Sequence, residues 1–151
     1  MSVKLIAVDM DGTFLNDKKT YNRERFHQQY QQMKAQNIHF VVASGNQYYQ
    51  LASFFPDIAN EIAFVAENGG WVQDAGEDVY NCAMPRDHVD KITAFLLTRP
   101  EVEIIVCGKK SAYTLKSYDQ SFHDIAVRYY HRLELVDNFD NLDDTILKFA
   151  L

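Results

Sequence analysis

Asp9 and Asp11 stand one residue apart, directly after a short apolar run and just before Gly12-Thr13. Two carboxylates held so close repel each other, and a cation is their natural stabiliser. An all-oxygen site of this kind suits Mg2+, which keeps water ligands and also touches phosphate oxygens. One carboxylate can attack phosphorus as a nucleophile and give an acyl phosphate. The other can protonate the leaving oxygen and later activate water. Gly12 lets the chain turn tightly and brings backbone amides toward a ligand. Thr13 offers a hydroxyl to orient Asp11 or to hold the turn. Asp9 and Asp11 are thus the candidate catalytic and Mg2+-binding pair, with Met10, Gly12 and Thr13 as candidate phosphate contacts. Asp-x-Asp alone could be a polar turn; the attached Gly-Thr and the apolar run before it favour chemistry.

Two further loops have suitable residues. Ser44-Gly45-Asn46 puts a hydroxyl and adjacent backbone amides at a strand end, where they can hold phosphate oxygens. A helix that follows presents its N-terminus to the same anion. Glu67-Asn68-Gly69-Gly70 is the third. Asn68 can hydrogen-bond a substrate or brace the Asp9 loop, and Glu67 reads as a supporting residue.

The elements that must position these loops follow from apolar patterning. Residues 3–8 read as a strand, apolar enough for burial on both faces. Residues 22–36 read as a helix with Asn22 as its cap and Phe26, Tyr30 and Met33 on one face. A second strand over 38–43, a helix over 47–55 stopped by Pro56, and a third strand over 62–66 complete the series. Strand alternating with helix in this way implies an α/β fold with a parallel sheet and right-handed crossovers. Ligands collect beyond the carboxyl ends of such strands, where all three loops fall.

After Gly70 the pattern changes. Residues 71–73 and 79–80 read as a hairpin about residues 74–78, and Pro85 opens a new section. A helix over 87–97, strands over 102–107 and 111–115, a helix over 118–129 and a strand over 146–151 suggest an α+β unit. The division expected is a partial Rossmann-like core over 1–83 and a second domain over 84–151.

Composition narrows the function. The chain has 151 residues and a formal net charge of -6, so it holds no general attraction for a nucleic-acid backbone. Lys18-Lys19 and Lys109-Lys110 read as solvated loops. No apolar run approaches the ~18 residues that span a bilayer, and the first residues lack a signal-peptide layout, so a cytoplasmic protein without membrane contact is expected. Cys82 and Cys107 read as incidental thiols. The five histidines lack metal-ligand spacing and read as surface or helix residues. Tyr48-Tyr49 and the cluster from Arg128 to Arg132 carry no firm role.

Asp9-Met10-Asp11-Gly12-Thr13 resembles the first motif of the haloacid dehalogenase-like hydrolases, and Val42-Ala43-Ser44-Gly45-Asn46 resembles their second. Glu67-Asn68-Gly69 is similar to the third-strand loop of their Cof-type sugar phosphatase branch, whose α/β cap is inserted after the third core strand. The whole chain is similar to the N-terminal part of a bacterial sugar phosphatase of that branch. The resemblance implies that Asp9 is phosphorylated and that Asp11 is the general acid and base. It implies that the Asp11 carbonyl and Asp9 carboxylate bind Mg2+ and that the Ser44 hydroxyl grips phosphate. Many relatives place arginine where Asn46 stands, which removes a cation here. The family also uses a later lysine and a Gly-Asp-x-x-Asn-Asp motif, and neither is found in these residues. Asp140, Asp143 and Asp144 lack the motif's glycine, and Lys148 falls in a cap strand.

The expectation is a Mg2+-dependent phosphatase of sugar phosphates working through an aspartyl phosphate. The apolar last residues suggest a truncated chain, weakly active or inactive alone, with an exposed core edge able to self-associate. The alternative is a non-catalytic phosphate-binding or regulatory fragment, such as a receiver domain. A receiver needs its acceptor aspartate at the end of the third strand, where Glu67-Asn68-Gly69 stands instead.

Overall fold

In the computed structural model, which describes residues 3–151, the apolar run before Asp9 forms strand β1 (Leu5–Val8). Strands β2 (His39–Ala43) and β3 (Ala63–Ala66) pair with it in parallel, β1 on β2 and β2 on β3. Val8 lies opposite Val42, and Ala43 opposite Val65. The three strand ends therefore share one edge. Beyond β3 the sheet continues in β4 (Trp71–Asp74), which pairs antiparallel with β3, and β5 (Glu77–Asn81), giving the order β1-β2-β3-β4-β5. Ala75 and Gly76 have φ of 49° and 83°. That left-handed pair is what a tight hairpin turn requires.

Helix α1 (Arg23–Ala35) connects β1 to β2. Asn22 caps it, its side-chain oxygen accepting from Arg25 N at 2.9 Å, while Glu24 and Lys34 suit the two ends of the helix dipole. Helix α2 (Tyr48–Ser53) connects β2 to β3 and is shorter than the patterning suggests at both ends. Gln47 is its cap, and Phe55 lies beyond it, buried in the core.

This core is aromatic. Phe14, Tyr21, Phe26, Phe40 and Phe55 meet with ring centroids 4.9–6.0 Å apart, mostly tilted or edge-on. Such geometries are favoured by the ring quadrupoles. Strand β1 departs from the expectation of burial on both faces. Val3 and Leu5 remain 61% and 55% exposed. The strand is the sheet's edge, and among the described residues none pairs with its outer side.

The chain divides into two compact units between Tyr80 and Asn81. The second holds helix α3 (Arg86–Leu96), β6 (Ile105–Gly108), β7 (Ala112–Leu115), α4 (Gln120–Tyr129), β8 (Leu133–Val136) and β9 (Ile146–Ala150). Its sheet runs β8-β7-β6-β9, with β8 parallel to β7 and the other pairs antiparallel. α3 packs with Ile104, Val106 and Tyr113 on one side of the sheet. α4 packs through Ala126 with Ile105, Cys107 and Ala112 on the other. Strand β8 was not anticipated. Asp144 is not part of an acidic motif: it accepts from the backbone amides of Lys110 and Ser111 and from the Tyr113 hydroxyl, closing the β6–β7 turn.

Phe55 touches four of the other rings and is 1% exposed. Phe55→Ala is expected to cost about 3–5 kcal/mol of stability, read by urea unfolding, whereas Phe55→Leu should cost clearly less.

Candidate active site

The Asp9 loop is built by backbone hydrogen bonds that fold it back on itself. Phe14 N donates to Asp9 O at 3.1 Å, and Leu15 N to Met10 O at 2.9 Å. Gly12 sits at φ 73°, a left-handed conformation that glycine adopts without a Cβ penalty. Met10 is fully buried in the aromatic core, so its side chain anchors the loop and only its backbone is near the rim. Asp9 and Asp11 flank it and are both exposed. The Thr13 hydroxyl donates to Asp9 Oδ2 at 3.1 Å, so it orients Asp9 and not Asp11.

Asp11 is held by two other residues. Lys19 Nζ donates to its Oδ1 at 2.6 Å, and Asn46 Nδ2 donates to its Oδ2 at 2.9 Å. The Lys19 hydrogen bond, with the Asn46 bond behind it and partial burial opposing, holds the Asp11 carboxyl below its ordinary value. The Asn46 contact joins the first loop to the second. Asn46 thus replaces a cation with an amide aimed at Asp11. Lys19 is the site residue that patterning missed, because its lysine pair reads as solvated loop. The usable signal was Asn16. Its side chain accepts from Lys18 N and Thr20 N and folds residues 16–20 into a turn back toward Asp11.

The second and third loops interlock. Ser44 N donates to Val65 O at 2.9 Å, Glu67 N to Asn46 O at 3.1 Å and Asn68 N to Ser44 O at 3.3 Å. The Ser44 hydroxyl oxygen accepts from Asn46 N at 3.2 Å. Glu67, Asn68 and Gly69 have φ of 55°, 58° and 86°, a run of left-handed backbone that turns the chain sharply at the strand end. A Cβ on Gly45 would lie 2.5 Å from Asn68 Oδ1. Asn68 therefore packs on the Gly45 backbone and braces the Ser44 loop, not the Asp9 loop. Glu67 is buried beneath them.

Asp9 offers the strongest site for a hard cation. Its second carboxylate oxygen has no hydrogen-bond partner among the described residues. Among those residues no cluster of three or more His, Cys, Asp or Glu side chains is placed to hold a metal. The donor set fits Mg2+, which one or two carboxylates hold while water and substrate phosphate complete the shell. Tyr48 and Tyr49 both pack against Trp71, tilted and edge-on, with ring centroids at 4.8 and 6.0 Å. His123 is buried with Nε2 3.0 Å from Leu115 O, and His27, His39, His88 and His131 are exposed.

The acidic loop thus lies at the carboxyl ends of three parallel strands, tied by Asn46 to the serine loop, which the asparagine loop braces in turn. Residues 6–151 match the model of the haloacid dehalogenase-like hydrolases, and the chain belongs to that family. It is 71% identical over 151 residues to the Escherichia coli 5-amino-6-(5-phospho-D-ribitylamino)uracil phosphatase YbjI, covering all of this chain and 56% of that protein. It is 28% identical over 93 residues to phosphatase YwpJ of Bacillus subtilis, covering 62% of this chain and 31% of that one. The crystal structure of SMU.1108c from Streptococcus mutans superposes with a TM-score of 0.91 at 34% identity, over 98% of this chain and 56% of that one. The chain thus spans about half or less of the length of these relatives. No helix among the described residues is long and apolar enough to cross a membrane.

Gly45→Ala is expected to destabilise the protein by about 1–3 kcal/mol, because the new methyl meets Asn68. In an Asn68→Ala background the same change should cost much less, and urea unfolding of the four-member cycle measures that coupling.

Proposed function

We propose that this chain carries the catalytic loops of a Mg2+-dependent phosphatase that acts through an aspartyl phosphate, on phosphate monoesters of sugars or sugar-like polyols. The observation that carries the reading is the hydrogen bond from Asn46 to Asp11, which ties two strand-end loops into one site. Asp9 attacks phosphorus, and the bond to the leaving oxygen breaks. Asp11 supplies the proton that the leaving alkoxide needs. Asp11 then takes a proton from the water that cleaves the Asp9 phosphate. The Ser44 hydroxyl and the backbone amides of the Asp9 loop hold the phosphate oxygens. Mg2+, held by the Asp9 carboxylate and the Asp11 carbonyl, supplies positive charge against the transferring phosphoryl group.

The substrate class draws support from the E. coli relative, whose name places a phosphate on a ribityl chain. It also draws support from the Glu67-Asn68-Gly69 loop, which resembles the sugar-phosphatase branch. In this reading residues 1–83 are the hydrolase core and residues 84–151 part of a cap that selects the organic portion of the substrate. The protein acts in the cytoplasm on a small phosphorylated molecule. The family's later lysine and acidic motif are not among these residues, so the 151-residue chain alone is weakly active or inactive.

Asp9→Asn in the full polypeptide that carries this chain should abolish both turnover and the phosphoenzyme, with little change in stability. Asp11→Asn should reduce turnover of a sugar phosphate by about a hundredfold or more. Steady-state hydrolysis by highly purified protein, with intact mass confirming length, measures both. The 151-residue chain assayed beside it should turn over far more slowly, and equal Asp9-dependent rates for the two lengths would reject that part of the proposal.

A further inference from the structure

Lys19 has no role in the chemistry described above, yet it makes the shorter of the two hydrogen bonds to Asp11. Both groups that hold Asp11 are donors. A lysine ammonium has no acceptor, and neither does an amide nitrogen. A carboxylate accepts from both. The two donors therefore fix where the Asp11 carboxyl group sits and which way it faces.

The turn that carries Lys19 is shaped to deliver it. Lys19 N donates to Asn16 O at 2.8 Å and Asn16 N to Thr20 O at 3.0 Å. The Asn16 side chain accepts from Lys18 N and Thr20 N at 2.9 and 3.2 Å and also bonds the Thr20 hydroxyl. Lys19 itself sits at φ 56°, in the left-handed region that side chains rarely adopt. This backbone aims the lysine across the loop at a residue eight positions earlier.

We propose that Lys19 is a positioning residue for the second half of the reaction. With Asn46 it fixes the Asp11 carboxylate to receive a proton from the attacking water. The inference rests on the phosphatase reading above. In that step the water oxygen bonds to phosphorus, and the bond from phosphorus to the Asp9 oxygen breaks. The electron pair returns to the Asp9 carboxylate, Asp11 takes the water proton, and inorganic phosphate leaves. Formation of the phosphoenzyme from an ester whose leaving group needs no proton does not call on Asp11, so with such an ester that half does not depend on Lys19.

The test separates the two halves in the full polypeptide by rapid quench with p-nitrophenyl phosphate, whose leaving group departs without a proton. First-turnover release of p-nitrophenolate reports phosphorylation. Decay of the Asp9 phosphoenzyme, followed by intact mass, reports hydrolysis. Lys19→Met should slow the decay on the order of tenfold, leave the first-turnover release within about twofold, and raise the standing fraction of phosphoenzyme. Lys19→Arg, which keeps the charge and the donors, should restore most of the decay rate. Equal slowing of both halves, or an unchanged decay rate, overturns the proposal alone. Wild-type protein that forms no Asp9 phosphoenzyme overturns the phosphatase reading and this proposal with it.

Discussion

The parallel register of β1, β2 and β3 is the constraint on which the rest depends. Val8 beside Val42 and Ala43 beside Val65 bring the chain out of all three strands at one level. Asp9, Ser44 and Glu67 are the first residues past those levels. Because side chains alternate along a strand, a slip of one residue would move each strand's apolar set to the wrong face. It would also separate Asn46 from Asp11. The site is therefore a property of the sheet and not of any one loop.

Aromatic packing holds that register. The rings of Phe14, Tyr21 and Phe26 come from the Asp9 loop and its helix, Phe40 from β2, and Phe55 from the segment after α2. A few large side chains thus tie together segments that short strands alone would hold weakly. Met10 shows the coupling most directly. It lies between the two aspartates and is fully buried against these rings. Loosening the core would loosen the loop that carries both carboxylates. The positive backbone angles at Gly12, Glu67, Asn68 and Gly69 are strained or permissive positions at the same edge, where a packed core can hold them.

Much of this was legible in the sequence, because it rests on local rules. Asn22 as a cap, Pro56 as a stop and the alternation of strand and helix are local, and so is the convergence of three loops that alternation implies. What was not legible depends on distant partners. The interlock of Gly45 with Asn68 involves two loops and appears in neither alone. Lys19 reads as solvent-facing until the Asn16 turn is known. Strand β8 is four residues long and follows a polar-aromatic stretch, so its pattern is too short to stand out. The apolar character of β1 was read as burial. Apolar composition states only what a strand can bury, and its neighbours decide what it does bury.

Charge sets the last condition on the site. Asp9 and Asp11 bring two negative charges to one loop, and Lys19 offsets one of them through direct contact with Asp11. The loop remains negative overall. In the proposed reading a phosphate monoester, itself an anion, would meet Asp9 against like charge. Both groups are exposed, so solvent and salt weaken that repulsion without removing it at contact distance. In that reading a second source of positive charge beside Asp9 itself would offset the repulsion. A divalent cation held by Asp9, whose second carboxylate oxygen no described residue occupies, would supply that charge. In that reading the lysine and a metal would answer to different carboxylates, Lys19 to Asp11 and the metal to Asp9.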